Sequence, residues 1–204
     1  MKRVILSAIT AICLLANGAQ AQQVTPVKCD VGVKLGANFA QLGGDHWEQS
    51  YQPGILAGAI VGVRKHKIGL QVEFLLNTAH YTTKDLVDSV RKGDFRATYF
   101  DIPVMLEYRV LGSKALPKVW LMGGVQFSNL MSIKSLNDYA GDVKSTFNSG
   151  NVAGVLGLEV RYMKFTLGGR YLLGFTNVNN EDVSTIKQSW SSRSGQVYLG
   201  FRFI

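Results

Sequence analysis

Apolar and polar residues alternate with a period of two along eight segments of this chain, whereas helical periodicity is poor. Such alternation is typical of β-strands that present one apolar face. Glycine is abundant, with 22 residues, and proline is scarce, with 4. The predicted strands are 31–42, 54–64, 68–81, 95–110, 119–130, 151–162, 165–176 and 195–204. The sequence therefore predicts an all-β fold.

The connections between these strands alternate between long polar segments and short turns. The long segments are 41–53, 82–94, 131–150 and 177–194, and the short ones are 65–67, 111–118 and 163–164. This order is typical of an antiparallel up-and-down barrel that spans a membrane, with long loops outside and short turns in the periplasm. A sheet in the bilayer must close on itself, because an unpaired backbone amide in hydrocarbon is costly. We therefore predict an eight-stranded transmembrane β-barrel.

Charged residues fall on the face of each strand that lies opposite the apolar one. The predicted lumen charges are Lys34, Arg64, Glu73, Asp101, Glu107, Arg109, Glu159, Arg161, Arg170 and Arg202. An unpaired charge in a narrow lumen would be costly, so we expect these groups to form an interior salt-bridge network. A plugged, structural interior suits eight strands, and an ion-selective pore is the alternative.

Seven aromatic residues share the parity of the apolar face and lie near strand ends. Phe39, Phe127 and Phe175 fall near the loops, and Tyr108, Tyr162, Phe165 and Phe203 fall near the turns. This distribution predicts two aromatic girdles at the membrane interfaces. Arg96 has the same outward parity, so we expect that part of its strand to project beyond the membrane.

The first residues have the features of a cleaved signal peptide. Lys2 and Arg3 precede an apolar run at 4–16, and Ala19-Gln20-Ala21 provides small residues around a cleavage site. The run is too short to cross a bilayer as a helix. We predict a signal peptide at 1–21, cleaved after Ala21, and one outer-membrane barrel domain at 22–204. Cys29 alone then remains, so no intramolecular disulfide is expected.

The predicted mature chain has 20 basic and 14 acidic residues, once Lys2 and Arg3 are removed from the 22 basic residues of the whole chain. Export makes nucleic acid an unexpected partner despite this net charge of +6. The excess positive charge is concentrated in the lumen and the short turns. Those turn residues either attract anionic lipid headgroups or serve only to keep the turns soluble.

Three segments carry a resemblance to a known family. They are "VGVKLGANFAQL" in the first strand, "YFDIPVMLEYRV" in the fourth and "VYLGFRFI" at the end. Together they resemble the PorT-type, or porin-family, outer-membrane β-barrel proteins, with Tyr99, Asp101, Ile102 and Pro103 as the most specific part. The resemblance implies an outer-membrane barrel inserted by the barrel-assembly machinery, and one branch of the family is tied to protein secretion. Ile204 after Phe203 departs from the usual terminal aromatic residue.

Catalytic and metal-binding patterns are missing from the sequence. His46, His66 and His80 are scattered, and Asp45, His46 and Glu48 form the only suggestive cluster. We therefore expect no enzyme activity, no cofactor and no metal.

Three functions stay open at this stage. The favoured one is a non-enzymatic barrel in outer-membrane lipid, acting structurally or as an accessory to an envelope or secretion complex. The second is a small diffusion pore. The third is a soluble periplasmic, lipocalin-like calyx that binds a hydrophobic ligand and carries the charged face outside.

Overall fold

A computed structural model describes residues 27–43, 52–82, 94–112, 116–135, 150–175 and 191–203. Its strands are β1 (Lys28–Gly43), β2 (Gln52–Lys65), β3 (Ile68–Thr82), β4 (Asp94–Leu111), β5 (Lys118–Ser135), β6 (Gly150–Tyr162), β7 (Phe165–Gly174) and β8 (Ser191–Arg202).

Each strand pairs antiparallel with the next, and β8 pairs with β1 to close the barrel. The predicted eight-stranded up-and-down barrel is therefore confirmed. The described ranges contain no helix long and apolar enough to cross a membrane. The predicted signal peptide at 1–21 lies outside the described residues, as does most of each long connection.

Side chains alternate between the outer surface and the lumen along the strands. On β1, Leu35 is 63% exposed while Lys34 is 3% exposed, and on β2 Ile55 is 65% exposed while Leu56 is fully buried. The outer surface is consequently apolar over its whole circumference. Exposed apolar patches on soluble monomers rarely exceed a few hundred Å². This barrel is built to face an apolar solvent.

Two tight turns on the same side of the barrel use a non-glycine residue at positive φ. The β2–β3 turn is made by His66 and Lys67, with His66 at a φ of 56°. The β6–β7 turn is made by Met163 and Lys164, as the sequence predicts, with Met163 at a φ of 53°. Side chains with a Cβ are disfavoured in this region of backbone space. Both turns therefore store strain.

Glycines on the lumen face make room for the largest inward side chains. A Cβ on Gly168 would lie 2.4 Å from the Tyr198 ring, and one on Gly36 would lie 2.6 Å from the Tyr198 Cβ. Tyr198 itself is 1% exposed. The inward glycines therefore leave the space that the bulky lumen residues fill.

Two predicted strand ends are wrong by four or five residues, and in both cases the alternation is lost. β5 continues to Ser135, although the sequence predicts its end at Leu130. Tyr99 pairs with Leu130 but Thr98 pairs with Ser132, so Met131 is an extra residue in a bulge that shifts the parity. β8 begins at Ser191 rather than at Gly195, because its first residues are polar on both faces.

We expect that replacing His66 with glycine stabilises the barrel. Glycine adopts positive φ without steric strain, and part of the gain is offset by the greater freedom of the unfolded chain. The net effect should be about 0.5–1 kcal/mol, measured as a higher urea midpoint for unfolding from lipid vesicles. The matched control is His66→Ala, which removes the ring but keeps the Cβ. An equal gain from alanine would contradict the strain explanation.

Candidate functional site: the charged barrel lumen

Glu73 on β3 is the centre of one group of ion pairs. Its Oε1 lies 2.5 Å from the Lys34 Nζ, and its Oε2 lies 2.8 Å from the Arg170 Nη1. All three side chains are fully buried. Gln71 also donates to the Glu73 Oε1 at 2.6 Å, and Arg170 donates through Nε to Gln196 at 2.6 Å. This group joins β1, β3, β7 and β8 across the lumen.

Glu159 on β6 is the centre of a second group. Its Oε2 accepts hydrogen bonds from Arg161 Nε at 2.7 Å and Arg202 Nη2 at 3.1 Å. Its Oε1 accepts the Tyr198 hydroxyl at 3.0 Å and lies 3.6 Å from the Lys34 Nζ. Lys34 therefore connects the Glu159 group to the Glu73 group. The lumen holds one continuous network rather than isolated pairs.

Arg161 extends the network to β4 and β5. It donates to both carboxylate oxygens of Glu107, with a distance of 3.0 Å from Nη1 to Oε2. Its guanidinium lies 4.7 Å from the ring centroid of Trp120, which is within the range of a cation–π interaction. A two-pronged contact of this kind fixes the orientation of both groups.

Two predicted lumen residues lie outside the ion pairs of the described residues. Asp101 is buried and accepts a hydrogen bond from the Asn77 amide at 2.9 Å, with no salt bridge in the described ranges. Arg109 is half-buried, and its guanidinium lies 5.9 Å from the Trp120 ring centroid. The other eight predicted residues take part in salt bridges.

Asp30 is a lumen charge that sequence reasoning missed. It is 2% exposed, forms an ion pair with Arg64, and its Oδ2 lies 3.8 Å from the Arg202 Nη1. The signal was present, because Asp30 has the same parity as Lys34. The predicted first strand began at Val31, so Asp30 was left outside it, whereas β1 begins at Lys28.

An apolar cluster of buried side chains also occupies the lumen between its two ends. The buried members are Leu56, Met105, Met122, Ala153, Val155, Leu172 and Tyr198. A cavity of about 650 Å³ opens at the end with the short turns, and one of about 40 Å³ lies at the loop end. Among the described residues the two cavities share no lining side chain. The interior is packed rather than tubular.

All seven aromatic residues of the predicted girdles point outward and are exposed. Phe39, Phe127 and Phe175 lie 11, 9 and 10 residues along the chain from the turn-side strand starts at 28, 118 and 165. A tilted strand needs about 9–11 residues to cross a bilayer. This group therefore lies where a membrane strand would reach the opposite interface. The remaining four are Tyr108, Tyr162, Phe165 and Phe203, each close to the turn end of its strand.

Arg96 is exposed on the outer surface, beyond the level of these loop-side aromatic residues. It lies opposite Lys134, seven residues past Phe127 on β5. Its Nε donates to the His80 Nε2 at 2.8 Å.

Metal-binding clusters are absent from the residues that the structure describes. His80 contacts the Pro53 carbonyl through Nδ1 at 2.6 Å, and His66 lies in the turn on the other side of the barrel. The suggestive cluster of Asp45, His46 and Glu48 lies outside the described residues.

A closed antiparallel barrel that is apolar outside and charged inside defines the class of transmembrane β-barrels. The sequence matches the family model "Outer membrane protein beta-barrel domain" over residues 19–180. The chain belongs to this family of outer-membrane β-barrels. A comparison with curated proteins finds no significant sequence match.

The chain also aligns with solved structures, among them Ail, the attachment invasion locus protein of Yersinia pestis. The alignment has 12% identity and a TM-score of 0.44, and covers 86% of this chain and 99% of Ail. The translocator domain of the autotransporter NalP from Neisseria meningitidis aligns with 11% identity and a TM-score of 0.29, covering 99% of this chain and 98% of that domain. The family match is the finding that identifies the chain.

Removing the Glu159 charge should destabilise the barrel. The substitution Glu159→Gln leaves Arg161, Arg202 and Lys34 short of a buried counter-charge, and breaking such a network costs about 3–5 kcal/mol. The measurement is the free energy of unfolding in urea from lipid vesicles.

The matched control is Asp101→Asn, the same change from acid to amide at a buried lumen position without a salt bridge. We expect a loss below about 1 kcal/mol or a gain, because an uncompensated buried carboxylate is itself costly. Equal losses for the two variants would contradict the network as the source of stability.

Proposed function

We propose that this protein is a non-enzymatic outer-membrane barrel with a closed lumen, acting structurally or as an accessory to an envelope or secretion complex. The observation that carries the proposal is the closed interior, in which ion pairs and the apolar cluster separate the two end cavities. A barrel closed in this way has its accessible polar surfaces only at its ends.

Membrane insertion explains the outer surface. The apolar circumference and the spacing of the two aromatic groups fit a bilayer, with aromatic side chains at both interfaces. In this arrangement the short turns face the periplasm and the loops face outward. The proposal includes export through the signal peptide at 1–21 and insertion by the barrel-assembly machinery.

An accessory role follows from where the protein can be reached. The charged groups of the lumen network are already paired with one another. A partner must therefore bind at the loops, at the turns or at the turn-side mouth. The resemblance to PorT-type proteins adds an envelope or secretion complex as the expected partner. Outer-membrane lipid is the second partner, and nucleic acid remains unexpected for an exported chain.

Photo-crosslinking in intact cells tests the accessory role. A photoreactive residue at Lys67 probes the turn side, one at Lys134 probes the loop side, and one at Leu199 on the lipid-facing surface is the matched control. We expect a reproducible protein adduct from at least one end and none from Leu199, with the barrel in the membrane fraction. The absence of a protein adduct from both ends would contradict the accessory role.

The calyx alternative has no support in this geometry, because its charged face would have to lie outside. Recovery of the barrel in the soluble periplasmic fraction during the same experiment would nonetheless favour it over the membrane proposal.

The pore alternative predicts discrete current steps, and we expect none. Buried ion pairs and the apolar cluster occupy the lumen between the end cavities in the described residues. The measurement is conductance of the folded protein in planar bilayers, with a reconstituted general porin as the positive control. Uniform single-channel steps that depend on the protein would favour the pore instead.

A further inference from the structure

The cavity at the turn end is lined by far more positive than negative charge. Among its described lining residues six are basic, and only Asp30 is acidic. Of the six, Arg161 and Arg202 pair with Glu159 deeper in the lumen, and Arg64 pairs with Asp30. The surplus positive charge of the cavity therefore belongs to Lys28, Lys118 and Lys164, which form no salt bridge among the described residues.

Two like-charged pairs face each other directly across neighbouring strands at this mouth. Lys28 on β1 lies opposite Arg64 on β2, and Lys118 on β5 lies opposite Arg161 on β6. Like charges in directly opposed positions destabilise a sheet. Placing two such pairs around one cavity is unfavourable for an empty barrel, and an anion between them would remove the cost.

Two arginines that line this cavity also have buried donors without a hydrogen-bond partner among the described residues. Arg202 is 6% exposed, yet its Nη1 makes no hydrogen bond within the described chain. The buried Nε of Arg64 is likewise without an acceptor there. Guanidinium groups match the oxygen geometry of phosphate, and ammonium groups such as those of Lys118 and Lys164 add point charges around it.

The rim of the cavity adds an apolar component. Leu116, Tyr162 and Phe203 line it, and Tyr162 also lines a groove of about 670 Å³ on the lipid-facing surface. With about 650 Å³ of space, the cavity is larger than a bare phosphate ion needs. A phosphate attached to an organic group fills it better.

We propose that the turn-end cavity is a binding site for a phosphate ester, supplied by an anionic phospholipid headgroup or by a soluble organic phosphate. Lys118 and Lys164 supply the unpaired charge, Arg64 and Arg202 donate to the phosphate oxygens while they keep their ion pairs with Asp30 and Glu159, and the rim contacts the organic part. The lipid source rests on the proposed insertion with the turns on the periplasmic side, whereas the soluble source does not.

The test uses two double variants of equal charge change on the same side of the barrel. Lys118→Ala with Lys164→Ala removes two cations that line the cavity, and Lys65→Ala with Lys67→Ala removes two from a turn outside its described lining. None of the four lysines takes part in the described lumen ion pairs, and heat-dependent gel migration verifies folding. Binding is measured with purified barrel in a non-ionic detergent.

Calorimetric titration with glycerol 3-phosphate tests the soluble source, and native mass spectrometry of retained phosphatidylglycerol against phosphatidylcholine tests the lipid source. We expect at least one phosphate ligand to bind wild type. Its affinity for the Lys118/Lys164 variant should be lower by about tenfold or more. The Lys65/Lys67 variant should stay within about twofold of wild type, since its lysines lie outside the cavity.

Glycerol phosphate binding without a lipid preference assigns the site to a soluble ligand, and the reverse assigns it to the membrane, so both results support the site. Equal loss in the two double variants, or a folded barrel that binds neither ligand, would overturn it. Failure of the membrane proposal would give a different result, which is recovery of the protein in the soluble fraction.

Discussion

The pairing of buried charges is the constraint on which the rest of this structure depends. An ionised group in a narrow, largely dry lumen is tolerated only when an opposite charge and further hydrogen bonds compensate its loss of water. Glu73 and Glu159 provide that compensation for Lys34, Arg161, Arg170 and Arg202. Because one or more members come from nearly every strand, the network holds the barrel closed from inside.

The same constraint fixes the strand register. A slip of one residue would move every side chain of a strand to the other face, placing Glu159 and Arg161 in lipid and Leu158 and Val160 in the lumen. Both halves of that exchange are unfavourable in a membrane. The charges therefore contribute to the uniqueness of the fold as well as to its stability, and the inward glycines beside Tyr198 make the arrangement fit.

Much of this architecture follows from alternation alone, because a period of two assigns each residue to a face. The eight strands, the Met163-Lys164 turn and the barrel order could be predicted in this way. The pairing partners could not, since Lys34 and Glu73 are neighbours only through the tilt and shear of a closed barrel. The bulge at Met131 and the polar start of β8 escaped prediction because both interrupt or lack the alternation.

Because the lumen is closed, ligands and partners can reach polar groups only at the two ends of the barrel. The two ends differ in charge. The small loop-end cavity is lined mainly by neutral polar groups such as Asn38, Gln126 and Ser194. The turn-end cavity is larger and strongly basic. Had the charges served only to close the barrel, acids and bases would balance at every level along the axis. They balance in the middle and not at the mouth, which separates charges that stabilise the fold from charges that remain available to an anion.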